Sequence, residues 1–182
     1  GLTEPRAVFE DFENPEYPAL TISDFGGWTM VDVDKKKTYT FLDDASNPYR
    51  TMPMAFQLYD PVKAGVPDRY LIDAQPYSGN TMLVAWSAQG LNDNWLVSPE
   101  LSGRAQTVSF YAKSFSIAYA ESFDVLYTTT DIDGEFFKVS VENYPENGQV
   151  PEDWTEFKAA LPEGAKHFAI RHTAYDTYAL YI

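Results

Sequence analysis

A chain of 182 residues is long enough for one sizeable β-sandwich with its own core and short for two independent domains. Its 13 basic and 27 acidic side chains give a net charge of −14, which repels nucleic-acid phosphates and gains nothing at an anionic bilayer, so neither is an expected partner. Cysteine is absent, which excludes disulfides, thiolate zinc sites and thiol nucleophiles, and no run of about 18 apolar residues exists to cross a membrane as a helix.

Gly1-Leu2-Thr3-Glu4-Pro5-Arg6 lacks the charged-then-apolar build of a signal peptide; the start reads as trimmed, with residues 1–7 as a flexible segment and any export signal already removed. Beyond it, 13 Tyr, 12 Phe and 4 Trp favour pleated, half-buried surfaces. Lys35-Lys36-Lys37 reads as a solvated turn, and 35–68, with several prolines and mixed polarity, reads as an extended loop near the rim of the sandwich. Period-two runs then predict strands at Met54–Tyr59, Arg69–Ile72, Met82–Trp86, Asn94–Val97, Thr107–Ala112, Phe123–Thr128, Phe137–Val141, Trp154–Ala160, His167–His172 and Tyr178–Ile182. In Thr107–Ala112 the core side takes Val108, Phe110 and Ala112 while Ser109 and Tyr111 face out; in the next run Phe123, Val125 and Tyr127 face in. Asp133-Gly134 marks a hairpin, and the best helical stretch, Ile117–Glu121, is too short to stand alone. The fold expected is an all-β sandwich of two antiparallel sheets in a single domain.

Four segments, in order, resemble the cleaved-adhesin domains, related to the choice-of-anchor J group of Bacteroidetes surface proteins. They are Phe12-Glu13-Asn14 with Gly27-Trp28-Thr29-Met30-Val31-Asp32-Val33-Asp34; Asn92-Asp93-Asn94-Trp95-Leu96-Val97-Ser98-Pro99-Glu100-Leu101; Val108–Ala112 with Glu121–Tyr127; and Trp154–Leu161 with Ala169-Ile170-Arg171-His172. The resemblance implies a jelly-roll sandwich, a secreted or surface-displayed module of a longer multidomain protein, stabilised by structural calcium, that binds a host extracellular protein or a glycan through loops at one end of the sandwich. It implies calcium ligands at Glu13, Asn14, Glu121 and Asp124. Two departures stand out: Lys35-Lys36-Lys37 follows Asp34 where the family has an acidic loop, and the chain stops at Ile182 just before the family's closing aspartate pair, which reads as a truncated end.

Among single residues, Asp93 and Asn94 read as fixing the entry to a strand by bonding their own backbone. Trp95 and Trp154 read as core or seam, whereas Trp28 and Trp86 read either as core or as ligand platforms whose ring faces stack on the apolar face of a pyranose. His172 shares a face with Phe168 and Ile170, opposite His167, so the two do not combine as zinc ligands. No Gly-x-Ser-x-Gly elbow occurs, and the chain is read as a non-enzyme. The alternatives are a structural spacer of a surface lipoprotein without a ligand of its own, or a sandwich-fold glycoside hydrolase using two of the 27 carboxylates.

Overall fold

The computed structural model describes residues 8–182, and the expected flexible segment 1–7 lies outside the described residues. The strands are β1 (Thr29–Asp32), β2 (Gln57–Tyr59), β3 (Met82–Trp86), β4 (Asn94–Val97), β5 (Gln106–Ser114), β6 (Phe123–Thr128), β7 (Phe137–Val139), β8 (Thr155–Leu161), β9 (His167–His172) and β10 (Ala179–Tyr181). They pair antiparallel in two five-stranded sheets, the first in the order β1-β4-β9-β6-β7 and the second in the order β2-β3-β10-β5-β8. The two-layer antiparallel sandwich expected from the alternation is what forms. β6 and β7 make the hairpin around Asp133-Gly134, with Tyr127 opposite Phe137.

Between the sheets lies a core built by the inward positions of each strand: Val108, Phe110 and Ala112 from β5, Phe123, Val125 and Tyr127 from β6, Phe157, Ala159 and Leu161 from β8, Phe168 and Ile170 from β9. Phe157 has no exposed surface and meets Phe123 edge-on at 5.1 Å and Phe110 at 5.9 Å. Burying a ring of this size contributes about 2–3 kcal/mol from apolar area alone.

The segment between β1 and β3 departs from its expected place at the rim. It lies over the outer face of the second sheet, where Phe41, Met54 and Ala64 pack with Tyr59, Val84 and Trp86 in a second apolar cluster. Its local turns are set by sequence. Asp60 caps a short helix, α1 (Pro61–Ala64), by accepting from the amides of Val62 and Lys63; Pro61 starts it without a donor to lose, and Gly65 ends it at φ 79°. Arg69–Ile72, expected as a strand, instead falls in helix α2 (Asp68–Leu71) after Pro67, and Ile72 is exposed. A run of four residues carries no period long enough to separate the two states. The expected strand at Met54–Tyr59 begins only at Gln57, and the helical candidate at 117–121 forms a single 3-10 turn, Ile117–Tyr119.

An aromatic ledge on the second sheet

On the outer face of the second sheet the cover stops at β10, leaving the outward side chains of β5 and β8 in contact with solvent. There Tyr111 of β5 stacks on Tyr77 with ring centroids 3.7 Å apart and planes within 12°, and Trp154 meets Tyr77 edge-on at 6.0 Å. The three rings come from different segments for local reasons. Tyr111 faces out by strand parity, Tyr77 sits in the bend at 77–80 ahead of β3, and Trp154 precedes β8 with its indole N–H donating to the Gln75 carbonyl at 3.0 Å. Tyr77 is 53% exposed, and Thr107 and Ser109 carry exposed hydroxyls along the same strand face.

Polar groups border the rings. Glu156, opposite Tyr111 in the β5–β8 register, accepts from the Tyr111 hydroxyl and pairs with Lys158 at 3.3 Å. These two partners hold its carboxyl below the usual range, while hydrogen bonds to Tyr77 and Glu156 push the Tyr111 phenol up. Lys113, on the same face nearer the cover, is largely buried, donates to the Asp73 carbonyl at 2.7 Å and lies over the Tyr181 ring; burial lowers its pKa. The arrangement offers one open ring face beside hydroxyls, a fixed carboxylate and an ammonium, a surface suited to a polyhydroxylated ligand with an apolar face.

The residues that the sequence singled out fall elsewhere. Trp86 has no exposed surface: on β3 it faces outward, but the cover from 35–81 encloses it, with Phe41, Tyr59 and Tyr178 around the ring and its N–H donating to Gln57 Oε1 at 3.0 Å. Trp28 is 7% exposed, edge-on to Phe168, and donates to Glu10 at 3.2 Å. Neither indole presents a face to a ligand, because both are already covered by protein. The reverse correction applies to Trp95 and Trp154, expected inside and found half-buried on outer surfaces. Trp95 alternates with the inward Asn94 and Leu96, so its ring lies outside, under the Arg171 guanidinium at 5.2 Å and against Phe136.

The four residues implied as calcium ligands do not form one coordination set. Glu13 Oε1 accepts from the amides of Asn80 and Thr81, beside the start of β3, and Asn14 closes a local turn by accepting from the Glu16 amide. Glu121 lies beyond the other end of β3, fully buried: its Oε2 meets His172 Nε2 at 2.8 Å and accepts from the Thr177 hydroxyl at 2.6 Å, and its Oε1 accepts from the Tyr178 amide. Asp124 points out from β6 to Lys138 at 2.9 Å. With these oxygens committed to amides, hydroxyls and ammonium, and with no three His, Asp or Glu side chains grouped for a cation among the described residues, the set does not fit calcium.

The segment from Asn92 to Trp95 does fix its strand, but by reaching distant chain. Asp93 takes two bonds from Arg171, at 2.8 and 3.0 Å, and one from the Trp95 indole. Asn94 meets His172 Nδ1 at 3.2 Å; with its amide oxygen toward that ring its NH2 reaches the Met54 carbonyl and Asp32, both at 3.3 Å. The lysine turn is also tied down: Lys36 Nζ donates to the carbonyls of Gln89 and Leu91 at 3.1 and 2.9 Å. Asp32 and Asp34 form a carboxyl pair in which burial first, and then Asp34, raise the Asp32 pKa. Both also accept from amides, of Lys35, Lys36 and Asp93, so the pair organises a turn rather than facing a substrate cleft.

No family model matches the sequence, and no curated protein does. Solved structures do match its fold. The K2 cleaved adhesin domain of Lys-gingipain is similar at TM-score 0.62 and 18% identity, over 94% of this chain and 92% of that one. The K1 domain of the same protease, from Porphyromonas gingivalis, is similar at 0.59 and 17% over 94% and 91%, and the K3 domain at 0.54 and 20% over 85% and 87%. At these identities the likeness is one of fold: the chain is a cleaved-adhesin-like domain in architecture.

Proposed function

We propose that this chain, which carries the fold of the cleaved adhesin domains, is a non-catalytic binding module that takes a glycan on the Tyr77–Tyr111–Trp154 ledge. The observation that carries the reading is the exposed Tyr77 ring, held rigid from behind by Tyr111 at 3.7 Å and bordered by Glu156, Thr107 and Ser109. A stacked ring loses little conformational freedom when a sugar covers its open face, and the neighbouring oxygens supply orientation through hydrogen bonds. The site lies on the side of the sandwich instead of on the loops at its end. The adhesin-type fold supports an extracellular setting, secreted or displayed as part of a longer surface protein, with host glycans as partners.

A glycan array followed by calorimetry on the positive oligosaccharides tests this. Tyr77→Ala is expected to abolish measurable binding, and Glu156→Gln to weaken it about tenfold, with melting temperature nearly unchanged. An empty array, or binding indifferent to both substitutions, transfers the case to the spacer reading. Structural calcium belongs to the same test: chelation that alters neither binding nor melting temperature removes it.

A further inference from the structure

Among the described residues Tyr77 and Tyr111 are the one pair of tyrosines in ring contact. Their centroids lie 3.7 Å apart with planes within 12°. Ring pairs usually sit at roughly 4.5–7 Å, so these two overlap almost fully, with carbons of one ring over carbons of the other. The Tyr111 hydroxyl is hydrogen-bonded to Tyr77 as well as to Glu156, which puts the two phenol ends together. The carbons ortho to the two oxygens are therefore neighbours.

The two rings are held unequally. Tyr111 is fixed on β5 by its pairing with β8, whereas Tyr77 stands in the bend at 77–80, outside any strand, and is 53% exposed. An oxidant reaches Tyr77 from solvent, and its ring is free to swing as a bond to Tyr111 forms. The Glu156 carboxylate already accepts from the Tyr111 hydroxyl, so a base is in place for the proton that a phenol sheds when it gives up an electron. The chain has no cysteine, so a covalent tie between these two segments comes from other side chains.

We infer that Tyr77 and Tyr111 form an oxidative cross-linking site, which a one-electron oxidant of the haem-peroxidase class, supplied with hydrogen peroxide, converts to a dityrosine staple between β5 and the bend ahead of β3. Each phenol loses one electron and its hydroxyl proton, Tyr111 to Glu156 and Tyr77 to water, and one peroxide is reduced to two waters. The two phenoxyl radicals carry spin on their ortho carbons and join there in a Cε–Cε bond. The hydrogens on the joined carbons pass through solvent to the two oxygens and restore both phenols, so the protein loses two hydrogen atoms in all.

Proximity selects this pair. Held in contact, the two rings react within one molecule at an effective concentration far above that of any second protein molecule. Tyr119 and Tyr175 are more exposed, at 58% and 72%, but neither has a tyrosine ring against it among the described residues, so they couple between molecules. Tyr77 and Tyr111 lie 34 positions apart, and a bond between them restricts the unfolded chain as a disulfide of that span does. The inference does not rest on the glycan reading, since it concerns a bond between the two rings and involves no ligand.

The test treats the protein with a haem peroxidase and one equivalent of hydrogen peroxide, then isolates the monomer and maps it by mass spectrometry. Trypsin cuts after Arg69, Arg104 and Lys113, so the staple is expected to join peptide 70–104 to peptide 105–113 at their summed mass less two hydrogens, with fragment ions placing the link on Tyr77 and not on Tyr70. The yield is expected to hold within twofold on tenfold dilution, and the stapled monomer to unfold at a urea midpoint higher by at least about 0.5 M. Tyr77→Phe keeps the ring, removes the phenol and is expected to lower the yield of this peptide pair at least tenfold. Absent dityrosine, a link through other tyrosines, a yield that falls with dilution, an unmoved urea midpoint, or a peptide pair that survives Tyr77→Phe would each overturn the inference; the wild-type map decides even where Tyr77→Phe fails to fold.

Discussion

On its inner face the second sheet sets Leu83, Ala85, Leu180 and Phe157 against Phe123, Phe168 and Ile170 of the first. On its outer face Val84, Trp86, Tyr59 and Tyr181 pack under Phe41, Met54 and Ala64. Both clusters are ring-rich and buried, yet they differ in what is mixed with the rings. The inner one is apolar through its centre. The outer one encloses a polar set: Gln57 bonds Trp86, Asn47 and the Leu20 carbonyl, and Tyr59 donates to Asp44. Asp44 has no exposed surface, and among the described residues neither its second carboxylate oxygen nor the buried Tyr181 hydroxyl has a hydrogen-bond partner. A sheet-on-sheet core is specified by shape and periodicity, whereas a loop laid over a sheet needs directional bonds to hold irregular backbone in one place.

The comparison breaks first where the inner core is opened. Phe157→Ala removes a fully buried ring from the contact between sheets and is expected to cost about 3–5 kcal/mol in urea unfolding, with all strands lost together. If the cover melts first in that variant, the division between the two clusters is wrong. Phe41→Leu, in the outer cluster, trims a ring stacked on Tyr70 and edge-on to Trp86; about 1–2 kcal/mol is expected, with faster exchange at Ser46 and Gly65 and little change in β6 or β9.

Asp44 sharpens the contrast through pH. Burial raises its pKa to about 6, against the opposing hydrogen bonds from Tyr59 and Asn47. Because the folded value exceeds the unfolded one, its contribution is fully present below the ordinary carboxylate range and is lost as pH rises through about 6. Asp44→Asn is therefore expected to flatten the pH dependence of melting between pH 4 and 7 and to stabilise the protein by about 1–2 kcal/mol at pH 7. A wild-type melting temperature that climbs over this interval, with the variant following it, would show that Asp44 is not the group responsible. Tyr77→Ala, outside both clusters, is expected to change stability by less than about 0.5 kcal/mol, so that its effect is read in binding alone.

Much of the inner core was legible because strand parity needs only neighbours along the chain. Met82–Trp86, Asn94–Val97, Phe123–Thr128 and His167–His172 occur at the predicted bounds, and β5 turns Val108, Phe110 and Ala112 inward as read. The ledge was half legible: Tyr111 was read as facing out, but nothing local joined it to Tyr77, 34 positions earlier, or to Trp154. The tryptophans show why. Hydrophobicity counts an indole as core material, but Trp95 is turned outward by its neighbours, while Trp86, also turned outward, is enclosed by a loop folded back from before it in sequence.

Alternation and turn residues by themselves determined an all-β chain, several strands with their inward faces, and the hairpin at Asp133-Gly134, since each depends on a period of two or on a few adjacent dihedrals. Tertiary structure alone decided which outward face is covered and where carboxylates such as Glu121 and Asp93 find their partners. Those outcomes join residues far apart in sequence, and a pattern confined to neighbours holds no record of them.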